Sequence, residues 1–325
     1  MKVSEIGFGG SRIGGVFADK HGSKQALTLL RMALESGITF YDTSDIYAQG
    51  ESEALIGTAF RRCREQVILA TKGGYCLPAQ QNIMKRIKPL VRPIVQALGL
   101  KRTHLSSKVS GTLSQDFSPA HLTQALEVSL KRLQADYVDL YQLHSPGVPF
   151  LQSDAFGEAL QTLEKLKGQG KLRFYGVATE VPEDAPFCLS AFGISSVQLG
   201  FGLLDAEALD QGILEAAAAR GLGIIARGCF GGGLLKDGLD GAQLKAATPK
   251  WERILALRSL SKSTGRSLLD IAFQFCRGTP AVSVTLLGMR IENHLRENLR
   301  YFQACPLNAE EYMALRRSLV HCSAS

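Results

Sequence analysis

Eight short apolar runs rich in β-branched residues alternate with longer stretches of helical spacing along the chain. This alternation is the strongest constraint on the fold. Strands separated by helices cannot pair as hairpins; they need crossover connections and therefore lie parallel. The runs fall at 5–9, 38–43, 67–72, 137–144, 174–179, 196–201, 223–227 and 281–287. Apolar residues recurring every three or four positions predict helices at 24–36, 51–61, 119–133, 156–167, 212–219 and 267–276. In the first of these, Ala26, Leu29, Leu30, Ala33 and Leu34 share a face, and Gly37 stops the helix. Ser118 stands ahead of Pro119 as an N-cap. Eight strand–helix units in 325 residues fit a closed (β/α)₈ TIM barrel, α/β in class, as one domain over 1–325. An open dinucleotide-binding sheet would carry a G-x-G-x-x-G turn after its first strand, and the run Gly231-Gly232-Gly233 comes far too late for that.

One segment breaks the rhythm. The stretch 76–113 is long for a connection after strand three and reads as an insertion with a helix of its own. It holds Lys85, Arg86, Lys88, Arg92, Lys101, Arg102 and Lys108 with no acidic residue, which equals the whole net charge of +7. Pro89 and Pro93 interrupt any long helix there. Overhanging the C-terminal face of a barrel, such a segment is expected to favour an anionic substrate; its interleaved apolar residues equally suit packing on the barrel or on another subunit. No apolar run is long enough to cross a bilayer, and no long apolar core opens the chain. The expectation is a cytoplasmic protein, monomer or homodimer, that binds a small molecule and neither nucleic acid nor membrane. Cys63, Cys76, Cys188, Cys229, Cys276, Cys305 and Cys322 form no C-x-x-C pair, so neither a disulfide framework nor a metal site is expected.

The informative polar residues stand at strand ends. Asp42 ends strand two and Tyr47 follows it; Lys72 ends strand three; His144 ends strand four. Neighbouring barrel strands bring such residues to one pocket. A phenol is a poor acid at neutrality, and an ammonium beside it would lower its pKa. Asp42 can hold Lys72, and His144 can hydrogen-bond a carbonyl oxygen that Tyr47 protonates. Any one of these residues alone reads as packing or as a solvated strand terminus. The four together have mutually useful chemistry.

The segments around them are specific. The opening S-x-x-G-F-G-G-S-R-I-G-G, F-Y-D-T-S-D-I-Y followed by E-S-E-A-L-I-G, A-T-K-G-G, D-Y-V-D-L-Y-Q-L-H and G-M-R-x-x-x-H-L-x-E-N-L span nearly the whole chain. In these segments the chain resembles the aldo-keto reductases. The resemblance implies an NADP(H)-dependent oxidoreductase that reduces a carbonyl substrate, an aldehyde or ketone, reversibly, with Asp42, Tyr47, Lys72 and His144 as its tetrad. It places Gly10 and Ser11 near the nicotinamide ribose and Gln198 on the carboxamide. Ala178 and Thr179 stand where the family usually has Ser-Asn, and Arg227 where it has a stacking Tyr; a guanidinium can stack or pair with phosphate. Phe230, Gly231 and Leu234 would line the pyrophosphate path. Gly288, Met289, Arg290, His294, Glu297 and Asn298 would form the adenosine end, with Arg290 on a 2′-phosphate. The alternative is a cofactor-binding regulatory or scaffold subunit with little turnover, as in relatives attached to channels.

Overall fold

The computed structural model describes residues 1–14, 22–76 and 113–320. Eight parallel strands close into a barrel in the order β1-β10-β9-β8-β7-β6-β3-β2. They are β1 (Ile6–Gly9), β2 (Phe40–Asp42), β3 (Ile68–Gly73), β6 (Val138–His144), β7 (Leu172–Ala178), β8 (Ser196–Gly200), β9 (Gly223–Arg227) and β10 (Val282–Gly288). Each matches a predicted run to within two or three residues. Two further short strands, β4 (Tyr75–Cys76) and β5 (Ser114–Gln115), pair antiparallel as a ribbon outside the barrel. The predicted basic insertion lies outside the described residues except for its ends, which this ribbon ties together.

Strand parity decides what each residue meets. Phe40, Ala70, Leu140, Ile225, Val284 and Leu286 point inward and fill the barrel interior. Their neighbours Tyr41, Leu69, Tyr141, Ile224 and Leu287 point outward into the much larger core between sheet and helices. Side chains on a strand alternate, so residues two positions beyond an inward one also point inward. Asp42, Lys72, Gln142 and Arg227 therefore sit one layer above Phe40, Ala70, Leu140 and Ile225, and His144 sits above Gln142. The polar residues of the C-terminal face stand on an apolar plug.

The predicted helices are present, as Gly22–Glu35, Glu51–Phe60, Pro119–Leu133, Asp154–Gly168, Ile213–Ala219 and Leu268–Arg277. The Ser118 hydroxyl accepts the His121 N–H and caps the third of them. Sequence reading missed Trp251–Thr264, which buries only Ile254 and Leu257 and so shows no apolar stripe. It also missed the charge-rich Glu292–Gln303, which buries only Leu295, Asn298 and Tyr301, and Ala309–Val320. No helix among the described residues is long and apolar enough to cross a membrane.

One glycine lets two helices touch. In Glu51–Phe60, a Cβ on Gly57 would lie 2.5 Å from the carbonyl oxygens of Arg132 and Leu133, at the end of the neighbouring helix Pro119–Leu133. Backbone cannot swing aside as a side chain can. Gly57→Ala should therefore cost about 1–3 kcal/mol through overpacking. Urea unfolding checks this, and an unchanged midpoint would show that the helices have room to part.

Candidate active site

The site begins with a buried ion pair. Lys72 Nζ donates to Asp42 Oδ1 at 2.6 Å, to Oδ2 at 2.7 Å and to the Thr43 carbonyl at 2.9 Å. Both side chains are almost wholly enclosed, at 2% and 4% exposure. Burial pushes the Asp42 carboxyl up, against the pull of Lys72. Burial works against the Lys72 ammonium, but Asp42 and then Tyr47 outweigh it and hold it above the ordinary lysine range. This cage holds the ammonium in place, and the Tyr47 side chain hydrogen-bonds it as well.

Tyr47 is brought over this pair by an unusual turn. After β2 the chain keeps following β3, with Thr43 N–H on Ala70 O at 2.8 Å and Asp45 N–H on Lys72 O at 3.2 Å. It then doubles back through Ala48 and Gln49, both left-handed at φ 50° and 61°. Neither is a glycine, so the turn holds backbone strain of about 1–2 kcal/mol per residue. The Tyr47 ring centroid lies 5.0 Å from Lys72 Nζ. The His144 ring meets it edge-on with centroids 5.8 Å apart. The four residues expected at strand ends thus converge.

The electrostatics correct one expectation. Lys72 does pull the Tyr47 phenol down, but burial is the larger effect and the net shift is upward. Tyr47 is a protonated phenol, not a phenolate in waiting. Burial first, then Lys72 and Arg227, push the His144 imidazole from its ordinary 6.5 down to about 2. His144 is therefore neutral at working pH.

Several partners of the site were not legible beforehand. The Ser44 hydroxyl lies 3.0 Å from His144 Nδ1 and 3.0 Å from Asp45 Oδ1. Burial and then Glu53 raise Asp45 to about 7. Glu53 is itself buried, accepting from Thr71 at 2.7 Å and Arg132 at 2.9 Å. Arg132 also donates to the Asp45 carbonyl at 3.2 Å and so braces the loop that carries Tyr47. From the ribbon, the Tyr75 ring packs edge-on against His144 at 4.9 Å, and Gln115 Nε2 donates to the His144 carbonyl at 3.0 Å. A charged residue in the first turn of a helix, as Glu53 is, reads as dipole compensation, which hides its role.

The residues assigned to a cofactor follow the rim from β7 round to β1. Two of them carry buried polar atoms with no protein partner: Gln198 Oε1 and Asn298 Nδ2. The Gln198 amide is steadied by a hydrogen bond to Asp42. Gly288 ends β10 with open space where a side chain would be. Gly10 fits against Asp42, where a Cβ would lie 2.7 Å from the Asp42 carbonyl, and Ser11 beside it is exposed. Arg290 is exposed, and its N–H reaches His294 Nδ1 at 3.4 Å. Burial lowers the His294 pKa, as do Lys236, Arg12 and Arg290, against the pull of Glu297. Arg12 and Lys236, exposed and missed in the sequence, thus join Arg290 in one basic rim. Other positions face elsewhere. Met289 is fully buried in the core. Phe230 packs on Tyr301 at 6.1 Å, and Leu234 packs against the core beside Gly231. The Thr179 hydroxyl, next to Ala178, donates to the Gln198 carbonyl at 3.3 Å. Arg227 Nη2 donates to the carbonyls of Thr179 at 3.0 Å and Glu180 at 2.6 Å, which fastens β9 to the rim beyond β7.

Residues 5–319 match the model of the aldo/keto reductase family. An uncharacterized oxidoreductase of Bacillus subtilis, YqkF, is 28% identical over 324 residues, covering 97% of this chain and 92% of its own. L-galactose dehydrogenase of Arabidopsis thaliana is 28% identical over 317 residues, covering 92% and 84%. Among solved structures, the holo form of aldo-keto reductase AKR11C1 from Bacillus halodurans superposes with a TM-score of 0.76 at 27% identity, covering 98% of this chain and 92% of that one.

The neutrality of His144 has a signature in stability. Its folded pKa lies below its unfolded one, so below about pH 6.5 the unfolded chain gains a proton that the folded protein refuses. Stability should fall by up to about 1.4 kcal/mol per pH unit from this group as pH drops from there. Asp45, with a raised folded pKa, acts in the opposite sense over the same window. Urea unfolding of wild type and His144→Gln between about pH 7.5 and 5 separates the two. The wild type should lose stability relative to the variant; parallel curves would mean that His144 takes up its proton in the folded state.

Proposed function

The chain belongs to the aldo/keto reductase family, oxidoreductases of carbonyl and alcohol groups, and on that premise we propose that it transfers hydride between NADP(H) and an aldehyde or ketone, with Tyr47 as the general acid. The observation that carries this reading is the meeting of Tyr47 with the caged Lys72 ammonium and the His144 ring. Held along the rim, NADP(H) would supply or accept the hydride exchanged with the carbonyl carbon. The Tyr47 hydroxyl gives its proton to the carbonyl oxygen as negative charge develops there. Burial keeps that proton in place until the substrate oxygen asks for it. Lys72 then stabilises the phenolate left behind, and Asp42 keeps Lys72 within reach.

The residues present fit a phosphorylated dinucleotide. Gln198 Oε1 has an unused acceptor suited to a carboxamide N–H, and Asn298 Nδ2 an unused donor suited to adenine or phosphate. Arg290, Arg12 and Lys236 offer charge for phosphates, which favours NADP(H) over NAD(H). Arg227, tied to two rim carbonyls, serves this site by fixing the rim and by its charge rather than as a free stacking group.

His144 acts as a neutral hydrogen-bond partner of the carbonyl oxygen. A serine hydroxyl has one hydrogen, so Ser44 couples Asp45 to the His144 tautomer. When Ser44 donates to His144 Nδ1, the ring must carry its proton on Nε2, the donor form; when Ser44 donates to Asp45, Nδ1 holds the proton instead. Ser44→Ala removes this control and should lower kcat by about tenfold, the worth of one hydrogen bond, with cofactor affinity unchanged. Ser44→Thr should restore it; loss in both variants would mean that Ser44 only packs.

Fluorescence titration with NADPH and NADH, followed by turnover of a panel of aldehydes and ketones, tests the main reading. NADPH should bind more tightly, and Tyr47→Phe should cut turnover by about 10²–10⁴-fold while still binding it. Dinucleotide binding with no turnover of any carbonyl or alcohol would instead point to a regulatory subunit. No dinucleotide binding would overturn both readings.

A further inference from the structure

At the neck of segment 77–112, three side chains converge that the reductase chemistry does not use. Cys76 ends β4, Asp116 follows β5, and His121 lies in the first turn of the helix Pro119–Leu133. Cys76 Sγ is 3.9 Å from His121 Nδ1 and 4.0 Å from Nε2. Asp116 Oδ2 is 4.0 Å from His121 Nδ1. One donor atom from each of the three lies within 4.8 Å of the others.

We propose that Cys76, Asp116 and His121 form a binding site for a borderline-soft divalent cation of the Zn²⁺ or Co²⁺ kind, tying the β4–β5 ribbon to the helix Pro119–Leu133. A thiolate, an imidazole and a carboxylate are the donor set such ions select, whereas Mg²⁺ and Ca²⁺ would demand oxygens. Around a tetrahedral ion, donors at ordinary bond lengths stand about 3.3–3.6 Å apart, so the cluster needs to contract by a few tenths of an ångström between sulfur and imidazole and by up to roughly an ångström at the carboxylate, within reach of a side-chain rotation. Each ligand is already held by its backbone. Cys76 is in register with Ser114 in the ribbon. Asp116 Oδ1 accepts the Ser118 N–H at 2.8 Å, which leaves Oδ2 for an ion. His121 N–H is bound to the capping Ser118 hydroxyl. As the sulfur–metal bond forms, the thiol proton leaves to solvent. Three protein ligands leave one position for water or a further donor.

The site bears on the reaction through two neighbours. Tyr75 precedes one ligand and Gln115 the other, and both touch His144, one by its ring and one through the His144 carbonyl. An ion would hold Tyr75 against the imidazole and Gln115 on the His144 carbonyl. This coupling rests on the reductase reading; the binding itself does not.

Full-length reduced protein, stripped with a chelator and titrated with Co²⁺, tests the proposal. One Co²⁺ per chain should bind with a thiolate-to-cobalt band in the near ultraviolet, which Zn²⁺ displaces. Cys76→Ser should abolish the band. His121→Ala should weaken binding by about 100-fold or more, at or beyond the 10–100-fold that losing an outer partner costs. Both variants should keep the far-ultraviolet circular dichroism and urea midpoint of metal-free wild type, which shows that they fold. In wild type, Zn²⁺ should slow alkylation of Cys76 and not of the exposed Cys305, a readout that needs no variant. A band that survives Cys76→Ser, no saturable band, or equal alkylation rates with and without Zn²⁺ would each overturn the site.

Discussion

The site is organised around one ammonium held inside a barrel. Leaving either Asp42 or Lys72 buried without the other would cost several kcal/mol, more than a single packing contact returns. The pair is stable only because both of its members point inward, one strand apart, above the apolar layer of Phe40, Ala70 and Leu140. A slip of one residue in β2 or β3 would send that strand's charge into the outer core and leave its partner alone inside the barrel. The catalytic geometry and the strand register are thus the same constraint. Tyr47 and His144 take their places relative to that fixed charge, and the strained turn at Ala48 and Gln49 persists because Arg132, Glu53 and the β3 backbone hold the chain on either side of it.

Much of the fold was legible because periodicity and barrel closure are local in sequence. Alternation gave all eight strands, and Asp42, Lys72 and His144 could be singled out because they stand at strand ends, with Tyr47 in the loop after one of them. Three kinds of feature escaped. Helices such as Trp251–Thr264 bury too few residues to leave a stripe. The upward shift of Tyr47 arises from enclosure, which no spacing of residues reveals; the lysine was visible and the burial was not. Ser44, Asp45, Glu53 and Arg12 lie inside the segments that carry the resemblance, yet their letters do not say what they face; like Gln115 and Lys236, they gain meaning only from what lies beside them in space.

The rim shows how resemblance and geometry divide the work. Position by position, matching to the family selected Gln198, Asn298, Gly288 and Arg290, and these turn out to hold unpaired atoms, open space or exposed charge. The same matching also selected Met289, Phe230 and Leu234, whose side chains are committed to packing. A match places a backbone near a ligand. Whether the side chain faces it depends on parity and on what else needs filling.

The order of strands around the ring has a last consequence. Asp42, Tyr47, Lys72 and His144 all come from the arc β2-β3-β6, while Gln198, Arg227 and Gly288 come from the opposite arc, β8-β9-β10. The two arcs join through β7 on one side and β1 on the other, and the hydrogen bond between Asp42 and Gln198 crosses from one to the other. On the proposed reading, proton handling and dinucleotide recognition therefore lie on different arcs of one wall. Replacing Gln198 or Arg227 on one arc would nonetheless shift acidity on the other, so nucleotide preference and proton affinity are bound to evolve together.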